Sequence, residues 1–498
     1  MIEAQLINRE SRRKMMLEEP VAKVIPIVAV PMIIAMLIDS IYNITDTYFV
    51  SQLGTTATAA VGVNSSLMHL IRSVAMGFGM GASSYISRLL GAKRDEEASR
   101  VGTTTLFTGI MVLLILSFIA YMFMAPMVKM LGATDSVMPY SMDYARWILL
   151  SSPFTAGTVI LNQLLRAEGS TKYSMVGMVS GCIVNIGLDP LFISVFSLGV
   201  AGAAIATGLS KLISFMILLI PFLRKKSMLE LKPKFFTPKR EIFFEIARMG
   251  IPTFLRSSML AISTIVINNV AGTFGDSALA AASVANKAAR VVGSGIMGLG
   301  QGFQPVAGYN WGARKYERVR KAFWTCSAMG AAGGLTLGVI MAIMATKLVS
   351  IFASSDDTEI VKIGSYMIIT QCITMVFHVW GGIANGLFQA LGRPIGAAVL
   401  GLSRQIICLI PCVLVLSNIY GVYGLASAQA VADIMTLMIA LPMVILLYRK
   451  IKRMELEQNK PENNTWIEQQ DQLQKEPKKY VSVFGEYSNE QRKTRIHT

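Results

Sequence analysis

The sequence predicts an all-α membrane protein: twelve transmembrane helices in two six-helix lobes related by an internal repeat. Three observations carry that prediction. The chain of 498 residues is 53% hydrophobic and only 15% charged, against about 25% charged for soluble domains. Its apolar residues gather into twelve segments, each near the ~20 residues that a helix needs to cross a bilayer. And the order of glycines, prolines and charges in the first half returns in the second.

The twelve spans lie near 24–50, 57–81, 102–126, 138–164, 173–195, 201–223, 242–271, 279–308, 322–346, 359–388, 396–417 and 422–448. Barrel strands would be ~10 residues long and alternating, so these segments are helices. Span 1 sets the problem for the others. It carries Asp39, Asn43 and Asp46 at i, i+4 and i+7, which is one helical face. A carboxylate at a helix centre in lipid costs about 2.5 kcal/mol or more, so span 1 needs partners that build a polar chamber. Span 2 ends in Gly77-Phe-Gly79-Met-Gly81. With no strand before it, this reads as close helix packing rather than a phosphate loop. Span 5 carries Asn185 and Asp189 one turn apart, followed by Pro190, and span 6 carries Thr207. Pro31 and Pro190 are the expected helix bends, because proline removes a backbone donor and crowds the preceding turn.

The repeat is read from five anchors. Val30-Pro31-Met32 returns as Ile251-Pro252-Thr253, and Leu53-Gly54-Thr55 as Phe274-Gly275-Asp276, both at an offset of 221. Gly91-Ala-Lys-Arg94 returns as Gly312-Ala-Arg-Lys315, also at 221. Arg166-Ala-Glu-Gly169 returns as Gln389-Ala-Leu-Gly392 at 223, and Leu198-Gly-Val-Ala-Gly202 as Tyr420-Gly-Val-Tyr-Gly424 at 222. Six helices per repeat is an even number, so both halves cross in the same sense, a plan suited to alternating access. The expected divisions are an N-terminal lobe (1–223), a basic linker with Pro233 and Pro238 (224–240), a C-terminal lobe (241–450) and a polar, disordered cytosolic tail (451–498).

The formal charge of +16 is a topology signal rather than a nucleic-acid surface. Basic residues crowd alternate loops, such as Arg88, Lys93, Arg94 and Arg100, or Arg314, Lys315, Arg318, Arg320 and Lys321. The loops near 51–56, 195–200, 272–278 and 418–421 have none. This positive-inside pattern places both termini in the cytoplasm and the basic loops against anionic lipid. The N-terminus has no cleavable signal. The five cysteines (Cys182, Cys326, Cys372, Cys408, Cys412) fall in spans without metal spacing, so reduced, buried thiols are expected and no metal. No Walker A, HExxH or GxSxG motif is present, which argues against ATP as direct energy source and against an enzyme.

Depth arithmetic singles out four residues. Asp46, Asp189 and Thr207 each lie about five or six residues from the outer end of their helix, hence ~8–10 Å below the outer surface. With Asn185 they form a candidate site for a proton or a small hard cation. The competing reading pairs the acids with Arg72, Lys211, Arg256, Lys287 or Arg290. The repeat replaces Asp39, Asp46 and Asp189 by Leu260, Ile267 and Pro411, so the acid site belongs to the N-terminal half. The other half offers Asn268, Asn269, Asn286, Gln301, Gln304 and Asp433, as glue or as ligands. Asp39, with Tyr42 and Asn43 beside it, is the candidate cargo site; the alternative gives Asp39 a structural pairing with Arg256 or another polar helix.

The motifs Tyr42-Asn-Ile-Thr-Asp46-Thr-Tyr-Phe-Val50, Leu165-Arg-Ala-Glu-Gly169, Asn185-Ile-Gly-Leu-Asp189-Pro190 and Gly302-Phe-Gln304-Pro-Val-Ala-Gly-Tyr309-Asn310-Trp-Gly312 resemble the MATE family, multidrug and toxic compound extrusion. The resemblance spans about 20 to 450 and is strongest to the bacterial MepA-like and DinF-like branches. It implies a MATE-like fold that exports organic cations and drugs across the bacterial cytoplasmic membrane in exchange for protons or sodium, as a monomer, without cofactor, ATP or nucleic acid. It implies the cation site Asp46, Asn185, Asp189 and Thr207. The branch with acids in helices 7 and 10 is not matched. A flippase of a lipid-linked substrate on a related two-lobed fold is the alternative; it calls for a basic central cavity.

Overall fold

The computed structural model describes residues 2–350 and 358–458, apart from the side chains of residues 2–8, Ile44, Asp276 and 287–292. Every described element is helical: α1 (Ile2–Leu17), α2 (Val21–Ser51), α3 (Thr55–Gly91), α4 (Asp95–Met122), α5 (Met124–Met130), α6 (Met138–Ala167), α7 (Thr171–Pro190), α8 (Gly199–Leu223), α9 (Arg240–Gly272), α10 (Asp276–Gly312), α11 (Tyr316–Ser350), α12 (Thr358–Ala390), α13 (Pro394–Leu402) and α14 (Ile410–Gln458), with a π-turn at Leu191–Val195, a short 3-10 turn at Pro233–Phe235 in the linker and a second π-turn at Ser403–Leu409.

The twelve expected spans map onto α2, α3, α4, α6, α7, α8, α9, α10, α11, α12 and the two arms of the last long helix. The eleventh runs from Pro394 through the second π-turn, and Gly421 (φ 60°, ψ −139°) breaks the ladder to start the twelfth. Several helices outrun their spans, since the ends of a hydropathy segment do not mark where hydrogen bonding stops; α3 continues ten residues past 81, to Gly91. The tail expected from 451 begins in helix, because α14 continues to Gln458; residues 459–498 lie outside the described residues. α2 runs through Pro26 and Pro31 without interruption, so no break in the helix marks Pro31. At Pro190 the α-geometry does change: α7 ends there and a π-turn follows.

The repeat is written in the backbone. Gly54 and Gly275 both have φ 100°, and Lys93 and Arg314 have φ 61° and 56°. Gly169 and Gly392 have φ 79° and 68°; Gly199 and Gly421 have φ 57° and 60°. These left-handed positions recur at the sequence offsets, because each ends or starts a helix where a right-handed residue would continue it.

The two halves meet along α2–α10, α3–α9 and α3–α10. Glycine makes the approach possible. A Cβ on Gly91 would strike the Tyr309 carbonyl, and one on the repeat-related Gly312 would strike the Arg88 carbonyl. Gly81 lies against Ile246, Gly77 against Gly250, Gly298 against Ile33 and Gly302 against Ala29. All these contacts fall at the end that carries the basic loops. There Arg88 Nη2 pairs with Glu245 Oε2 at 3.2 Å, and Ser84 Oγ donates to the Gln389 carbonyl. α1 closes the same end. Arg12 reaches Glu168, Arg13 reaches Asp95 and Arg9 reaches Glu230 at 3.3 Å, while Asn310 Nδ2 donates to the Met16 carbonyl at 3.1 Å. At the other end Asn43, Thr47 and Tyr48 of α2 and Leu260 and Ile265 of α9 are exposed.

Candidate functional site

The face of α2 that carries Tyr42 and Asp46 turns into the N-terminal half, where α7 packs on α2 and α8 packs on both. This brings Asp46, Asn185 and Asp189 to one place, with Thr207 buried on the neighbouring α8. Asn185, Asp189 and Thr207 are 1%, 0% and 3% exposed. Asp46 and Asp189 are close enough to act on each other electrostatically, Asn185 acts on Asp189, and Lys211 of α8 acts on Asp46. Yet Asp46 Oδ1, both Asp189 oxygens, both Asn185 polar atoms and Thr207 Oγ1 are buried without a hydrogen-bond partner.

That is an unusual condition for buried polar groups, and Glu168 supplies the contrast. Glu168 is equally buried, but its oxygens accept from Arg12 Nη1 at 3.2 Å, Ser227 Oγ at 2.6 Å and the backbone N–H of Met228 and Leu229 at 2.6 and 3.3 Å, as well as Ser170 Oγ. Glu168 is a satisfied structural carboxylate that joins α1, the α6–α7 loop and the linker. Asp189 has a carboxylate opposite it and no donor. Two facing carboxylates are stable only with a cation between them or a proton on one. Four oxygen-bearing side chains from three helices are a donor set suited to that cation.

Tyr42 and Tyr144 are buried beside this pair. Tyr144 OH donates to Met68 Sδ at 3.5 Å, and Lys211 Nζ stands 5.7 Å from the centre of the Tyr42 ring. Asn43 is exposed and its Nδ2 bonds back to the Asp39 carbonyl, one turn earlier. Asp39 has a partner: Arg72 Nη2 of α3 lies 3.5 Å from Asp39 Oδ2. Of the partners the alternative allowed, Arg256 or another polar helix, it is the second that Asp39 meets, in Arg72. Arg256 is on α9, where it meets none of the three acids. The side chains of Lys287 and Arg290 lie outside the described residues.

A family model described as MatE matches this chain twice, over residues 31–191 and 252–414. The two matches cover most of it and repeat at the same offset as the sequence. The chain belongs to the MatE family. Its relatives include the multidrug export protein MepA of Staphylococcus saprophyticus, 28% identical over 84% of this chain and 92% of that protein. MepA of Staphylococcus aureus is 28% identical over 86% of this chain and 95% of its own length. Among solved structures, an outward-facing multidrug resistance MATE family transporter superposes with a TM-score of 0.82 at 25% identity, covering 88% of this chain and 98% of that one. A MATE in complex with MaL6 gives 0.85 at 24% identity over 89% and 99%. A MatE protein of this kind is a multi-pass membrane transporter and not an enzyme.

The C-terminal half of this MatE chain holds charges that sequence spacing left unconnected. Asp433 of α14 is 4% exposed. It accepts from Arg404 Nε at 2.7 Å, with His378 Nδ1 3.6 Å from the same oxygen. Arg404 lies in the second π-turn, a distortion that recurs at functional sites. The amides act as glue: Gln304 donates to Gln389 at 2.8 Å, Gln389 to Asn385 at 2.8 Å, and Gln301 accepts from Arg166 across the halves. Asn286 lines a small cavity with Gln371 and Gln429. The one available signal was Asp433, whose span position alone names no partner.

Proposed function

We propose that this protein exports organic cations and drugs in exchange for protons or sodium, with Asp46, Asp189, Asn185 and Thr207 as the coupling-ion site. The observation that carries the reading is the buried Asp46–Asp189 pair without internal donors. Such a pair holds a cation at low cost in the outward-exposed state and releases it when the geometry changes. The basic loops mark the cytoplasmic side, so the glycine-packed end is the closed cytoplasmic end and the molecule stands open to the outside. Asp39, Tyr42 and Asn43, within two turns of Asp46 on α2, are where an organic cation is received. Membership in the MatE family beside two MepA exporters supports drugs as cargo. A flippase is not favoured, since the N-terminal half presents acids rather than a basic chamber for pyrophosphate. The chain works as a monomer in lipid, uses no ATP and no other cofactor, and has both termini in the cytoplasm of a bacterium.

The test is uptake of a fluorescent organic cation into proteoliposomes, with proton and sodium gradients imposed separately. One of the two gradients is expected to drive transport in the absence of ATP. Asp189→Asn is expected to insert and fold but to lose gradient-driven transport. Undiminished transport by Asp189→Asn would remove the proposed ion site.

A further inference from the structure

Among the described residues, Arg256 has no counter-charge although it lies inside a membrane helix. It is the seventeenth of the 33 residues of α9, the centre of that helix, and therefore near mid-bilayer. Its stem lies along Gly401 of α13, where an added Cβ would be 3.1 Å from Arg256 Cδ. Its Nε is buried without a hydrogen-bond partner. The charge that acts on it is another cation, Arg404. Arg404 has committed its Nε to Asp433, and His378 leans on the same carboxylate oxygen. Among the described residues Arg404 and His378 thus share a single carboxylate, and Arg256 stands beside Arg404 with none. Arg404 and His378 keep 24% and 28% of their side chains exposed. An intramembrane arginine faces a partner or a water-filled cavity, and an unpaired one beside a second arginine is a receptor for an anion.

We propose that Arg256, with Arg404, is a carboxylate-binding subsite in the C-terminal half, which selects cargo bearing a carboxylate as well as an amine. The inference rests on the export reading above and deepens it. The acids of α2 and α7 take the cationic end or the coupling ion. Arg256 takes the carboxylate through the fork geometry that guanidinium shares with carboxylates. Arg404, held at its Nε by Asp433, presents its remaining N–H groups from a fixed position. A zwitterion then bridges two halves of opposite charge, whereas a plain cation uses only one.

The experiment compares a rhodamine that carries a free carboxylate with its methyl ester, a pair of equal size and chromophore. Binding to the full-length wild-type protein, Arg256→Gln and Arg256→Lys is measured by fluorescence anisotropy in detergent. Arg256→Gln is expected to weaken the acid about tenfold, the scale of one charge-assisted hydrogen bond, and to change the ester less than twofold. Arg256→Lys is expected to fall between, since it keeps the charge and loses the fork. On the wild type, acetate is expected to compete with the acid and not with the ester, a measurement that stands even if the variants fail to fold. Equal weakening of both dyes, no loss for the acid, or binding of the ester alone would overturn the proposal while leaving export of cations intact. Binding of both dyes that depends equally on chloride overturns it too, because Arg256 would then hold a fixed inorganic counter-ion. Failure of both dyes to bind counts against the export reading itself.

Discussion

The two halves share a backbone and differ in where their buried charges lie. The N-terminal half carries Asp39, Asp46 and Asp189; at the repeat-related positions the C-terminal half has Leu260, Ile267 and Pro411. The exchange runs the other way as well. Lys211 of α8 corresponds, at the offset of 222, to Asp433 of α14, and Arg256 of α9 corresponds, at 221, to Ala35 of α2. Backbone angles are kept because helix ends need left-handed residues at fixed places. Charges are free to diverge because each must only be satisfied locally. The satisfaction differs too: Asp433 is held by Arg404 at 2.7 Å, while Asp189 has no donor. One buried acid is part of the frame, and the other is in the costly state that, under the proposed function, a coupling ion relieves.

Neutralising each acid breaks this comparison most directly. Asp189→Asn removes an uncompensated charge, so coupled transport is expected to vanish while the thermal midpoint in detergent stays level or rises, the trade expected of a strained functional site. Asp433→Asn leaves Arg404 buried without its partner and is expected to cost about 3–5 kcal/mol, seen as a lowered midpoint and poor yield. The assignment of frame and function is reversed if Asp189→Asn unfolds the protein and Asp433→Asn does not.

The shared features predict equal effects in both halves. Gly91→Ala and Gly312→Ala each push a methyl group into a carbonyl of the opposite half. Each is expected to cost about 1–3 kcal/mol, concentrated in the state closed at the basic end. Paired cysteines across α3 and α9 at that end then cross-link less in both variants, and to a similar degree. A large effect in one and none in the other would mean that the pseudo-symmetric contact is not shared equally.

Asp39 sharpens the contrast within the N-terminal half. Its partner Arg72 is 50% exposed, so the pair is worth about 1 kcal/mol or less. Asp39→Asn is expected to leave folding and ion coupling intact and to weaken cationic cargo about fivefold, with neutral cargo spared. A uniform decline for all cargo assigns Asp39 to structure alone.

The smallest effect lies outside the membrane. The Lys232 ammonium, with Arg9 behind it, holds the Glu230 carboxyl below its ordinary range. Its folded value is lowered, so the stability it contributes is present above the unfolded carboxylate value and lost as pH falls through the folded one. With 30% of the side chain exposed, the contribution is under about 1 kcal/mol. The midpoint difference between wild type and Glu230→Gln is expected to shrink towards zero in acid; a difference that persists there shows that Glu230 acts by packing.

The sequence by itself determined the helices and the repeat, because a bilayer demands long apolar segments and the helix ends of both halves need the same left-handed residues. It also determined the depth of Asp46, Asp189, Asn185 and Thr207, since rise per residue is constant along a helix. Only the tertiary structure decided who stands beside whom. Arg72, Lys211 and Arg256 were interchangeable as partners for the acids at the level of depth. Helix rotation and lateral packing gave Arg72 to Asp39, set Lys211 beside Asp46, and left Arg256 facing Arg404. The Arg404–Asp433–His378 cluster joins the second π-turn, the far arm of α14 and α12, and no spacing rule connects residues on separate passes of the bundle. Depth is a one-dimensional property and can be counted from a sequence. Neighbourhood across a helix bundle depends on how each helix turns about its own axis, and that is settled by packing of the whole chain.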